Sequence, residues 1–525
     1  MAKSFIADKE TQNQILAGVN TILGLLSADD EMAKSRVAAN YFALQRTGAE
    51  YGVYWPLYST SNLSAGTRTR NAANLVAYPS TDTVAARNDF DQIGIFKPLE
   101  CTGHVNSTGE FVVEYFAGED GYDPTTQDKY CLFGTHYFKY DFSNGEELVL
   151  TDQAKNGFMP EAAAIRKDGT VRSFVAIAAY FASNDADGVP TSTTGKVPIY
   201  SMSHNTAITK ARSKGSQYCM TTMQDIAHIR NLFMVAFATR NSQDVMKGCT
   251  SYNFQYNASL EESGVERVVV TSAQAENFIV GSRVSIGEQG SNTNKDRGQA
   301  YNHNIARSVE ITAIEAVTDS LTAIYVDNGG ETFDTTTKTL ISTMPWATGA
   351  TDLVLGSCGS PGDNDSGMYP CKIFGVEMFL GMSEVVSNVV MLCENGEMYP
   401  YIVYDCTLAS ASAPSSDYAK VDVSLANTKG KWEYASVMGY DPANPSARFA
   451  TEVSATSTTG YGDATYTINI ETSGRAIREF LFGGSLGNGA SAGLWFAHLY
   501  YAPAYAYWTY AARLSASGSC AASAA

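Results

Sequence analysis

Apolar residues recur near helical spacing at the start of the chain. Ile15, Leu16, Val19, Ile22, Leu23, Leu25 and Leu26 form one set, and Met32, Val37, Tyr41 and Leu44 form a second after Asp29-Asp30. This pattern predicts two helices between about Thr11 and Gln45. Two uses fit such a pair: packing on the main core, or oligomerisation and attachment. From about Phe90 the pattern changes to short apolar runs separated by turns. Ile93-Gly94-Ile95-Phe96, Phe111 to Phe116 and His136 to Tyr140 read as strands. Gly118-Glu119-Asp120-Gly121 and Ser143-Asn144-Gly145 punctuate them. Helical spacing returns from Met223 to Thr239, with Ile226, Ile229, Leu232, Phe233, Val235 and Phe237 apolar.

Residues from about Gly264 to Thr343 read as a separate small β unit. Val268 to Val270, Phe278 to Ile286, Val309 to Ile314 and Ala323 to Val326 are closely spaced strand signals, and Gly287 to Asn304 is a polar loop. Short strands at this spacing suggest a small barrel or sandwich. Strand signals resume after Pro345-Trp346, so the unit is read as an insertion. The expected organisation is an N-terminal helical segment over 1–89, a main domain in two parts over 90–257 and 346–516, an inserted β domain over 258–345, and a flexible tail over 517–525. No repeat of solenoid or propeller length is present.

The most unusual local composition runs from Gly483 to Arg513. Two of the five tryptophans lie there, Trp495 and Trp508, among many tyrosines, alanines and glycines. At Ala504 to Tyr507 small and aromatic residues alternate. In extended backbone the alanines would form one face, packed on a core, and the tyrosines another, turned outward. Tyr and Trp offer large contact area with few rotatable bonds, which suits a recognition surface. Burial as ordinary core aromatics is the competing reading.

Composition narrows the uses. The chain has 525 residues, 44% hydrophobic and 17% charged, so a large core is possible and the surface must be largely uncharged. A net charge of −18 repels phosphate backbones and anionic lipid, which argues against a nucleic-acid partner. The first residues carry charges before any apolar run, so no signal peptide is expected, and no stretch has the length of a membrane span. Nine cysteines without C-x-x-C spacing favour mostly buried free thiols over a zinc ribbon. The six histidines show no H-E-x-x-H pairing, so no metal and no cofactor are expected. No G-x-S-x-G elbow occurs. Cys393 and Cys406 could lie near each other, yet no cysteine constellation around a groove points to an oxidising enzyme, and Asp363-Asn364-Asp365 is read as a solvated turn in preference to a calcium loop. No enzymatic activity is expected.

Five motifs in order carry a resemblance: Gly483-Gly484, Asn488-Gly489-Ala490, Gly493-Leu494-Trp495, Ala502-Pro503 and Ala511-Ala512-Arg513. The segment 483–514 resembles the variable region of proteins diversified by retroelements. These are phage tail-tip receptor-binding proteins and related bacterial surface proteins, typified by the major tropism determinant of a Bordetella phage. Ala211 to Gly215, Asn241-Ser242-Gln243, Gly375-Val376-Glu377 and Gly381 extend the likeness upstream. Leu486 departs from the pattern, where an aromatic is common. The resemblance implies an α+β chain with a C-type lectin-like fold, into which the β domain is inserted. It also implies that the exposed, ligand-binding positions are Leu486, Phe496, Ala497, His498, Tyr500, Tyr501, Tyr505, Tyr507, Thr509 and Tyr510. Asn488, Trp495 and Trp508, with Leu494, are left between contact and scaffold. The implied partners are a host-cell surface protein or glycan and other virion tail subunits, with a homotrimer as the expected state. The implied location is the virion tail tip after synthesis in the host cytoplasm, with a bacterial cell surface as the alternative. A purely structural virion protein is the remaining rival.

Overall fold

The computed structural model describes residues 30–56, 64–426, 428, 430, 432–518 and 520–521. It is a mixed α+β chain, mostly strand, with strongly curled sheets. The first expected helix lies outside the described residues. The second forms over Ala33–Gln45. Its Ala38 and Phe42 are buried, and Ser35 Oγ donates to the Phe111 carbonyl while accepting from Val113 N, at 2.9 Å each. The helix therefore covers the otherwise open edge strand Phe111–Phe116. The helical reading of the N-terminal 89 residues ends there. Glu50–Trp55 is a strand paired with Glu146–Thr151, so this stretch is part of the main body.

Three sheets build the main body: the five-stranded sheet that holds Glu50–Trp55 and Glu146–Thr151, and two larger ones. One runs in the order Cys219–Met220, Arg513–Ser515, Phe174–Phe181, Lys129–Gly134, Leu99–Val105, Phe111–Phe116. Strand Phe174–Phe181 is apolar almost throughout and buried beyond Phe174, as befits a central strand covered on both faces. The larger sheet has Ser383–Glu394 and Ala476–Gly483 at its centre, followed by Gly493–Leu499, Ala464–Thr467, Trp432–Met438 and Ala450–Ser454. Helix Met223–Phe237 packs among these sheets and is buried except at Ala227: its last turns are apolar all round, and its polar Gln224, Asp225, His228, Arg230 and Asn231 each meet a hydrogen-bond partner. Thr222 caps its start by accepting from Asp225 N. Among the described residues no helix is long and apolar enough to cross a membrane.

The β insertion is present, with its own core. Six antiparallel strands run in the order Gln255–Asn257, Thr339–Met344, Arg283–Glu288, Ala306–Ala316, Leu321–Asp327, Arg267–Thr271. Val268, Val284, Ile286, Ile311, Ile324 and Ile341 fill the interior. Ser259 N, just past the first strand of this order, donates to Val269 O on the last, so the sheet curls until its edges meet.

Several local expectations fail for identifiable reasons. Ile93–Phe96 is a turn following the short helix Asp89–Gln92, because a single-turn run with Gly94 in it has no strand to pair with. The strand expected over 278–286 starts only at Arg283, since Gly281 takes a positive φ of 86° and breaks the run. The tail is docked at least to residue 521. Ser517 Oγ donates to Asp225 at 2.8 Å, and Cys520 is 2% exposed. Free buried thiols are found at seven cysteines, while Cys219 and Cys406 form a disulfide, so Cys406 pairs with neither Cys393 nor a substrate groove. Asp363 closes an Asx turn by accepting from Asp365 N and Ser366 N at 2.7 and 2.6 Å.

Candidate ligand-binding surface

The glycines of the C-terminal motifs are needed by the backbone. Gly484 has φ of 90°, and a Cβ there would lie 2.7 Å from the Ala492 Cβ. A Cβ on Gly493 would lie 2.4 Å from the Asp463 carboxylate, whose other oxygen accepts from Trp495 N at 2.6 Å. Asn488 Oδ1 accepts from both Ser485 N and Ser485 Oγ, at 2.7 and 3.0 Å, and so closes the intervening turn. These residues therefore shape one hairpin between strands Ala476–Gly483 and Gly493–Leu499.

Strand register then lines up aromatic side chains. Trp432 is opposite Tyr466, and Tyr466 is opposite His498 on the next strand. Opposed residues share a face, and the rings touch: Trp432 stacks on Tyr466 at 4.7 Å and Tyr466 lies 4.9 Å from His498. Tyr500, two residues beyond His498, continues the row and stacks on Tyr466 at 5.1 Å. The chain then turns. Tyr501 stacks face to face on Tyr505 with centroids 3.7 Å apart, and Tyr510 meets both Tyr505 and Tyr507 edge-on. The result is a continuous aromatic strip from Trp432 to Tyr507. Trp432 is 43% and Tyr500 38% exposed, while Tyr466, Tyr501, Tyr505 and Tyr507 are half-buried.

The loop carrying the strip is anchored through its backbone. Glu479 N donates to Tyr501 O, Asn205 N to Pro503 O, Met202 N to Tyr510 O and Ser383 N to Thr509 O, all within 2.9–3.1 Å. Arg513 below forms a buried two-pronged pair with Glu384, both bonds 2.9 Å. The inserted domain closes the far end. Tyr507 OH donates to Asp296 at 2.7 Å, and the buried Arg297 guanidinium sits 5.1 Å above the Trp508 ring while bonding the Thr343 carbonyl and Asn253.

The expected exposed set is therefore split. Tyr500, Tyr501, Tyr505 and Tyr507 reach solvent. Leu486, Phe496, Ala497, His498, Thr509 and Tyr510 are buried, and the expectation of exposure is corrected for them. Leu486 fills a cluster with Trp346 and Leu380, and Phe496 and Ala497 lie on a strand covered on both faces. Thr509 and Tyr510 enter the sheet beside Ser383. The predicted alternation is also reversed, with Ala504 and Ala506 exposed and Tyr505 and Tyr507 half-buried. The segment is a series of turns around Pro503, so strand geometry does not apply to it. Trp495 and Trp508 are buried scaffold: Arg230 lies 4.4 Å over Trp495, and Arg297 covers Trp508. Trp432 and Tyr466 were missed because they lie outside 483–514. Their signal was local alternation, since Tyr466 is the outward residue between buried Thr465 and Thr467.

Electrostatically the strip is neutral. Burial, then the bond with Tyr505, pushes the Tyr501 phenol up to about 12, and burial with the Asp296 bond pushes Tyr507 up to about 12. Burial lowers His498 from 6.5 to about 4, so its ring is uncharged at neutral pH. Such a surface stacks on planar or apolar groups and offers hydroxyls for hydrogen bonds, with the Asp296 carboxylate at one edge.

The sign for His498 follows directly. Its neutral form contributes stability in full above pH 6.5, and that stability is lost as pH falls through about 4, where only the unfolded chain accepts the proton readily. We expect the urea-midpoint difference between wild type and His498→Asn to narrow as pH falls from 7 to 4. An offset that stays constant over that range would remove His498 from the acid response. No protein-family model matches this chain, and no curated protein matches it in sequence.

Proposed function

We propose that this chain is a non-enzymatic receptor-binding adhesin. It presents the aromatic strip, on a C-type lectin-like scaffold, to a protein or glycan on a host-cell surface. The observation that carries the reading is the strip itself: contacting rings, partly open to solvent, on a loop tied down by four backbone hydrogen bonds to separate elements. Rigid aromatic groups bind with little loss of conformational freedom. Weak binding at one strip gains strength when several copies share a particle, which fits a homotrimer at a phage tail tip among other tail subunits. The motif order in 483–514 supports diversification by a retroelement. It does so with a smaller exposed set than the resemblance implied: Tyr500, Tyr501, Tyr505 and Tyr507, joined by Trp432 and Tyr466.

Competition tests the reading. Purified chain should bind cells of a susceptible strain saturably and block attachment of the virion that carries it. Failure to bind cells or block attachment, together with a virion that cannot assemble when the exposed rings are changed to alanine, would instead assign the strip to subunit packing.

A further inference from the structure

We propose that His136, Glu161 and His228 form a buried site for one divalent transition-metal ion, of which zinc fits the donor set best. The three residues lie far apart in sequence, which is why no ligand motif announced them. The fold brings them together from three elements. His136 sits between strands Lys129–Gly134 and Tyr137–Asp141, Glu161 immediately precedes the one-turn helix Ala162–Ala164, and His228 is in mid-helix on Met223–Phe237. Their donor atoms all lie within 4.8 Å of one another, and the side chains are 0–4% exposed.

The charge balance points to a cation. Both carboxylate oxygens of Glu161 face imidazoles: Oε1 lies 3.2 Å from His136 Nδ1, and Oε2 contacts His228 Nδ1. Oε1 also accepts from His136 N at 3.0 Å. His136 Nδ1 is buried without a hydrogen-bond partner, so a donor atom is left unused beside this carboxylate. A buried anion requires a compensating positive charge. A divalent ion supplies it while both rings stay neutral and ligate through Nδ1. Two imidazoles with one carboxylate is a set that zinc accepts, at metal–ligand distances of about 2.0–2.2 Å. Such bonds place donor atoms about 3.3 Å apart; His136 Nδ1 and Glu161 Oε1 already have that spacing, and His228 Nδ1 and Glu161 Oε2 would part slightly to reach it.

The surroundings orient the ligands as metal sites require. Asn231, one turn beyond His228, lies 3.4 Å from His136 Nε2 and accepts from Tyr140 OH at 2.9 Å. With His136 ligating through Nδ1, its Nε2–H can donate to the Asn231 amide oxygen once the amide is turned. Phe133 packs 4.6 Å from the His228 ring and walls one side of the site. Burial this complete makes the ion structural, taken up as the chain folds, fastening the strand junction and the short helix to the central helix.

Metal analysis of the full chain, purified without chelator from zinc-supplemented medium, should find about one zinc per chain. Glu161→Gln and His228→Gln should lose it. Because those variants can fail to fold, the wild-type chain supplies the second readout. Refolding from urea should give a higher midpoint with zinc than with a chelator. Cobalt added during refolding should give the visible ligand-field bands of an ordered nitrogen–oxygen site. A wild-type chain without stoichiometric metal, whose refolding midpoint ignores zinc and chelator alike, would overturn the proposal. So would folded Glu161→Gln protein that retains full metal content. None of these outcomes depends on cell binding.

Discussion

Replacing Arg513 by methionine should destabilise the fold by about 3–5 kcal/mol, the cost of stranding one partner of a buried ion pair. Arg513 and Glu384 side chains are 3% and 2% exposed. The guanidinium also donates to the carbonyls of Ala178 and Glu377 at 3.1 and 2.7 Å, and it lies 5.0 Å from the Phe181 ring. Thr221 Oγ1 joins the group by donating to Glu384 at 2.8 Å. One side chain thus ties the last strand to both of the larger sheets directly beneath the aromatic loop. Removing it leaves a carboxylate in the interior with one neutral donor. The double variant Arg513→Met/Glu384→Leu should recover much of the loss, since the uncompensated charge goes with it. Urea midpoints of wild type, single and double variants check this. A single variant that unfolds with the wild type would show that the pair adds no net stability.

Legibility in the sequence followed the range of the interactions involved. The inserted β domain was readable because its strands pair only with one another and its own apolar pattern encloses a core. Helix Met223–Phe237 was readable from spacing alone, yet its burial was not, because covering polar residues such as Asp225, His228 and Asn231 depends on partners far along the chain. The strip was half legible. The dense aromatic composition marked Tyr500 to Tyr507, but extended-strand reasoning turned the tyrosines outward where Pro503 and successive turns fold them in. Trp432 and Tyr466 join only through strand register across the large sheet, a pairing that no local window contains. Arg513 was visible as the end of a motif, and its role emerged only when residue 384 arrived beside it. The same holds for His136, Glu161 and His228, which topology alone unites.

The second large effect concerns the open end of the strip. Trp432→Ala, Tyr466→Ala and Tyr500→Ala together should weaken binding to the target cell by about 100-fold or more, since single aromatic anchors at interfaces contribute about 2 kcal/mol or more. The same change should cost the fold about 1–3 kcal/mol, about 0.5–1.5 kcal/mol for each of the two stacks removed, and no more than that scale because Trp432 and Tyr500 are substantially exposed and Tyr466 is half-buried between them. These rings sit at the opposite end from the Asp296 contact, so the Tyr507–Asp296 and Arg297–Trp508 anchors remain in place.

The decisive measurement is the dissociation constant of this triple variant for cells of a susceptible strain, taken beside its urea midpoint and that of the wild type. A cooperatively folded variant with a modestly lowered midpoint and binding reduced about 100-fold is the expected result. Unchanged binding by a folded variant would contradict the assignment of these rings as the surface that meets the host.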